Sequence, residues 1–133
     1  MSWTKKSANG WLIAEEYLTI DKTGTDQSTS YVDFIPYGKD WYLQIDPSGT
    51  FASGGPIDMD ICYESGGTYW ELCTTGLSVL AAGTTERDLI DNSAKGNAPF
   101  FKFRIDKTAT MTATSTKNVK FTVIVPPKNG VVY

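Results

Sequence analysis

The chain has 133 residues, a formal net charge of −3 and no histidine, which bounds it to a single domain and excludes Ser-His and Cys-His nucleophilic pairs and histidine metal sites. Hydrophobic residues make up 41% and aromatics 13%, a globular rather than disordered composition, and the acidic balance argues against a nucleic-acid ligand. No apolar run is long enough to span a membrane. The polar start, Met1 to Gly10, is not followed by a signal-peptide core, so the expectation is a chain made in the cytoplasm without a signal peptide.

In chain order, residues 1–9 read as a terminal arm. Trp11–Ile20 is a strand that is apolar on both parities, and Tyr31–Ile35 is a short strand ending at the turn Pro36-Tyr37-Gly38. Trp41–Asp46 alternates Trp41, Leu43 and Ile45 with Tyr42, Gln44 and Asp46, then stops at Asp46-Pro47-Ser48-Gly49, where the proline suits a type I turn. In Ile57–Glu64, the apolar Ile57, Met59, Ile61 and Tyr63 alternate with Asp58, Asp60, Cys62 and Glu64, the pattern of a strand with one wet face. Thr68–Cys73 repeats it after Ser65-Gly66-Gly67. A two-residue Gly66-Gly67 turn would set Tyr63 opposite Trp70 and Ile61 opposite Leu72.

The segment Thr85-Glu86-Arg87-Asp88 carries a helix-cap pattern and is the one candidate helical turn. Strands follow at Phe100–Asp106, with Phe101, Phe103 and Ile105 inward, at the Thr-rich Ala109–Ser115, and at Val119–Val125. Residues 126–133, opening on Pro126-Pro127, read as a second arm. About eight short strands at roughly ten-residue spacing predict an all-β fold, a single antiparallel β-sandwich or jelly roll spanning 1–133 with short arms at about 1–9 and 126–133.

Candidate sites are few. Asp58, Asp60, Glu64 and Glu71 could supply carboxylate pairs for acid–base chemistry or calcium, but such charges are ordinary on a solvated sheet face. Cys62 and Cys73 fall diagonally across the expected hairpin, too far apart for a disulfide, and are expected as reduced thiols. Lys102, Arg104, Lys107, Lys117, Lys120 and Lys128 make the last third basic. No catalytic, cofactor or metal residue is expected. The aromatic surplus is more informative: Trp11, Trp41, Trp70, Phe101, Phe103 and Phe121 suffice for a core, while Trp3, Tyr37, Tyr42, Tyr69 and Tyr133 fall at outer parity, in turns or in arms. Exposed Trp and Tyr stack on sugars or anchor protein interfaces, so these five are the interface candidates.

The run Tyr31-Val-Asp-Phe, Trp41-Tyr-Leu-Gln-Ile, Ser48-Gly-Thr-Phe, Glu64-Ser-Gly-Gly-Thr-Tyr-Trp70, Phe100-Phe-Lys-Phe-Arg-Ile and the closing Thr/Val strand resembles the small β-sandwich virion proteins of tailed bacteriophages, among them capsid decoration (cement) proteins and tail modules. That resemblance implies a non-enzymatic virion protein, foremost a decoration protein that binds and stabilises an assembled shell. It implies the major capsid or another virion protein as partner, homo-oligomers on the particle, and neither nucleic acid nor membrane. The alternative is a carbohydrate- or receptor-binding module of a phage tail or fibre, with a glycan as ligand.

Overall fold

The computed structural model describes residues 2–20, 27–35, 40–48, 57–62, 71–74, 85–90, 99–105 and 117–127. They form nine strands and, among the described residues, no helix: β1 Thr4–Ala8, β2 Trp11–Ile20, β3 Gln27–Ser28, β4 Trp41–Pro47, β5 Ile57–Cys62, β6 Glu71–Thr74, β7 Glu86–Ile90, β8 Phe100–Ile105 and β9 Lys117–Val125. All pairings are antiparallel. One sheet has the order β1-β2-β9-β4-β7 and the other β3-β8-β5-β6. The pairs β2–β9, β3–β8, β4–β7 and β5–β6 are nested, as if one long antiparallel ribbon had been rolled until β4 met β9 and β5 met β8. This is the strand order of a jelly roll, with β1 added at one edge, and it answers the expectation of an all-β sandwich or jelly roll.

Alternation explains which residues fill the space between the sheets. Leu12, Ala14 and Leu18 of β2, Trp41, Leu43 and Ile45 of β4, and Val119, Phe121, Val123 and Val125 of β9 enter from one side. Met59 and Ile61 of β5 and Phe101, Phe103 and Ile105 of β8 enter from the other. Trp41 lies with its edge toward Phe101 (centroids 5.2 Å apart) and 6.0 Å from Phe103, and Phe103 stacks on Phe121 at 5.9 Å. Three aromatic contacts therefore cross from sheet to sheet and back. Trp11, expected in this core, is instead 36% exposed, because the inward positions of β2 are the even ones.

Several expectations are corrected. The segment 1–9 is not an arm: Thr4–Ala8 pairs with β2 along its whole length, turned by Asn9 and Gly10 with φ of 52° and 83°. Two successive left-handed residues are the signature of a type I′ hairpin, whose twist matches that of the strands. Before β1, Trp3 packs edge-on to Phe34 at 6.3 Å and its Nε1–H donates to the Ser30 carbonyl at 3.1 Å. The core-facing Glu16 of β2 holds the same residue, accepting from the Ser30 N–H and hydroxyl at 2.8 Å each. As an edge strand β1 is protected by its lysines, Lys5 lying 4.3 Å over the Phe34 ring. A chain beginning at Gly10 should therefore melt roughly 5–10 °C below the parent; equal melting temperatures by differential scanning calorimetry would show that the segment is dispensable.

Thr85–Asp88 is no helical turn; Glu86–Ile90 is β7, hydrogen-bonded to β4. Tyr31–Ile35 is represented by a single bridge between Val32 and Phe101, and the regular pairing with β8 comes earlier, at Gln27–Ser28. The β5–β6 register also differs. Met59 pairs with Thr74, but Asp60 pairs with Leu72 and Ile61 with Glu71, so Cys73 is an extra residue in a bulge. The expected Ile61–Leu72 pair is thereby displaced by one position. The Tyr63–Trp70 pair and the Ala109–Ser115 strand lie outside the described residues, as does all of the second arm beyond Pro127. Finally, Asp60 and Cys62 are not on a wet face: both are buried, at 5% and 1% exposure. β5 is an inner strand of its sheet, and Arg104 reaches from β8 to Asp60, Nε to Oδ2 at 3.0 Å.

Candidate functional site

Because alternate residues of β2, β9, β4 and β7 fill the core, the residues between them form the outer face of the five-stranded sheet. The registers set this face out in rows. One row runs Lys6, Ile13, Ile124, Tyr42, Leu89 across β1, β2, β9, β4 and β7. The next runs Thr4, Glu15, Thr122, Gln44, Arg87, and a third Tyr17, Lys120, Asp46. Four successive positions of the first row are apolar or aromatic. Ile13, Ile124 and Tyr42 are half-buried and Leu89 is 54% exposed, with Trp11 beyond Ile13 at the same end of β2. An outer sheet face normally alternates to polar, so a contiguous apolar row there departs from the usual pattern.

The second and third rows are polar and partly rigid. Arg87 donates from Nε and Nη2 to Gln44 Oε1 at 3.1 and 2.6 Å, and Gln44 Nε2 donates to Asp46 Oδ2 at 3.0 Å. The Thr85 hydroxyl donates to Asp46 Oδ1 at 2.5 Å. Among the described residues neither Glu15 nor Lys120 has an ion-pair partner. Thr122, in the middle of the face, is only 6% exposed, and its Oγ1 has no hydrogen-bond partner among the described residues. A buried hydroxyl left unpaired costs about 1–3 kcal/mol, so it calls for a reason. Two shallow depressions border the β1–β2 side, one of about 370 Å³ lined by Ser2, Thr4, Glu15, Glu16 and Tyr17, the other of about 110 Å³ lined by Thr4, Lys6, Ile13 and Glu15.

Of the five aromatic candidates, Tyr42 lies in the middle of this face, between Ile124 and Leu89. Trp3 is turned into its own chain against Phe34 and Ser30. Tyr37, Tyr69 and Tyr133 lie outside the described residues. Ile13, Ile124, Leu89 and the polar rows were not singled out from sequence, since their assembly depends on pairing strands distant in the chain, from Tyr42 with Leu89 to Ile13 with Ile124. One local signal existed: Ile124 is apolar at the parity opposite to Val119, Phe121, Val123 and Val125. Among the described residues no group of three or more Cys, Asp or Glu side chains converges as a metal site would require.

No protein-family model matches this chain, and no curated protein does. Among solved structures, the chain is similar to one from Bacillus endospore appendages, described as a family of disulfide-linked pili, at 14% identity and a TM-score of 0.42, covering 92% of this chain and 96% of that one. It is also similar to the Clostridium thermocellum endo-1,4-β-D-xylanase 10B CBM22-1–GH10 modules complexed with xylohexaose, at 13% identity and a TM-score of 0.44. That match covers 93% of this chain but spans only 27% of the xylanase chain.

Proposed function

We propose that this chain is a non-enzymatic structural module whose work is to bind protein surfaces during assembly, in its most specific form a capsid decoration protein that binds and stabilises an assembled shell. The observation that supports it is the outer face of the five-stranded sheet. Ile13, Ile124, Tyr42 and Leu89 form an apolar row, and Glu15, Arg87, Lys120 and Asp46 follow in the two polar rows beside it. Apolar surface beside charged and polar groups is the composition of a specific protein interface, and Tyr, Trp and Arg are the residues that carry binding energy in one. The rigid jelly roll behind the face keeps the ordering cost of association low. The resemblance of the sequence layout to phage virion proteins supports that setting.

A second reading, a glycan-binding module, draws on the 55% exposed ring of Tyr17 beside the Glu15 carboxylate and the depression between them, since a sugar stacks on such a ring while carboxylates take its hydroxyls. Quantitative mass spectrometry of purified particles distinguishes the two. The assembly reading expects the chain at a fixed copy ratio to the shell protein, reduced by Leu89→Asp. Absence from particles, together with glycan-array binding that Tyr17→Ala abolishes, would overturn it in favour of the second.

A further inference from the structure

We infer that the outer face of the five-stranded sheet is self-complementary, and that its occupant is a second copy of this chain, docked face to face about a two-fold axis running parallel to the strands between β9 and β4. The inference rests on the assembly reading and names its partner. Such an axis keeps each row opposite itself and exchanges β2 with β7 and β9 with β4. In the first row, Ile13 then faces Leu89 and Ile124 faces Tyr42, so the apolar row is closed by apolar residues. In the second, Glu15 faces Arg87. In the third, Lys120 faces Asp46. Each alignment follows from the registers alone, and each brings together opposite charge or apolar surface.

The other in-plane two-fold axis, perpendicular to the strands, would set Glu15 against Glu15 and Arg87 against Arg87, with Ile13 against Tyr17. Only the strand-parallel axis is compatible with the charge pattern. In the second row, Thr122 comes opposite the second copy's Gln44. Two facing sheets pack about 10 Å apart, within the combined reach of Glu15 and Arg87, and the twist of each sheet turns the strands by about 30° without exchanging the rows. Four strands and three rows make a face roughly 20 Å on a side, the scale of the core of a standard interface. The aliphatic and aromatic groups close one end of the face; the Glu15–Arg87 pairs lie at its two sides and the Lys120–Asp46 pairs at its other end, nearer solvent, where desolvation is least costly.

Sedimentation equilibrium on the full chain tests this by a charge swap. The parent should be a dimer. Glu15→Arg and Arg87→Glu should each weaken it by about tenfold or more, since each sets like charges together at both ends of the interface. The double variant should recover affinity to within about threefold of the parent. A second swap, Lys120→Glu with Asp46→Lys, gives the same test one row away should one of the first pair fail to fold by circular dichroism. A parent that stays monomeric, or a double variant no tighter than the singles in both swaps, would overturn the inference. A monomer that still joins particles at its normal copy ratio would overturn the dimer alone and leave the assembly reading standing.

Discussion

Trp41→Ala should destabilise the protein by about 3–5 kcal/mol in denaturant unfolding, the range for deleting a large aromatic from a closed core. Domains of this size are stable by about 5–15 kcal/mol, so the variant should stand near its folding limit. The indole has no exposed surface and touches both Phe101 and Phe103 of the facing sheet. Its removal takes an aromatic partner on the opposite sheet from both rings and leaves Phe103 its stack on Phe121. The contrast with Trp41→Phe is the diagnostic part. Trp41 Nε1 has no hydrogen-bond partner among the described residues, so the indole carries a desolvation cost of about 1–3 kcal/mol that phenylalanine would relieve while still filling most of the volume. Trp41→Phe should therefore cost much less than Trp41→Ala. An alanine variant unfolding at the parent's denaturant midpoint would mean that the two sheets are not held together through this contact.

The long strands were legible in the sequence because they alternate over six or more residues. Trp41–Pro47, Phe100–Ile105 and Lys117–Val125 bury the residues that parity assigned to them. Short or polar strands were not. Thr4–Ala8 has no apolar residue but alanine, and every one of its residues is exposed. Its cue lay in the Asn9-Gly10 turn, where both residues adopt the left-handed conformation that such a dipeptide favours. Glu86–Ile90 combines a threonine cap pattern with charged residues of fair helix propensity, and tertiary pairing with β4 overrides that local preference. β3 has two residues, too few to carry any period.

The candidate face was legible only in part, for a topological reason. Tyr42 could be placed on an outer face from its own strand. Its neighbour Leu89 comes from β7, the partner of β4 along the ribbon, and Ile124 from β9, which reaches β4 only when the ribbon is rolled. Apolar residues at the outer parity of separate strands look like scattered exceptions until the registers align them. The same holds for the bulge at Cys73, since one inserted residue changes which side chains face one another while leaving the hydrophobic pattern of each strand intact.

The pair Asp60–Arg104 should show the second large effect. Asp60 was expected among solvated carboxylates, yet its side chain is 8% exposed and Arg104's 22%. The guanidinium approaches with Nε 3.0 Å from Oδ2 and Nη2 3.5 Å from Oδ1, a forked contact across the diagonal between β5 and β8. Charges taken this far from water are held only while they are matched, and removing one member of such a pair is far costlier than replacing both by apolar groups. Asp60→Ala should therefore cost about 2–3 kcal/mol, at the level of a charge-assisted hydrogen bond lost from a partly buried site. Asp60→Asn keeps the shape and one acceptor and should cost less. Arg104→Met combined with Asp60→Leu should be more stable than the sum of its single effects implies, with a coupling of about 1 kcal/mol or more in a double-mutant cycle. Additive single costs would show that the two side chains lie near one another without depending on each other, and that β5 and β8 are joined by backbone pairing and the Phe101–Phe103 face alone.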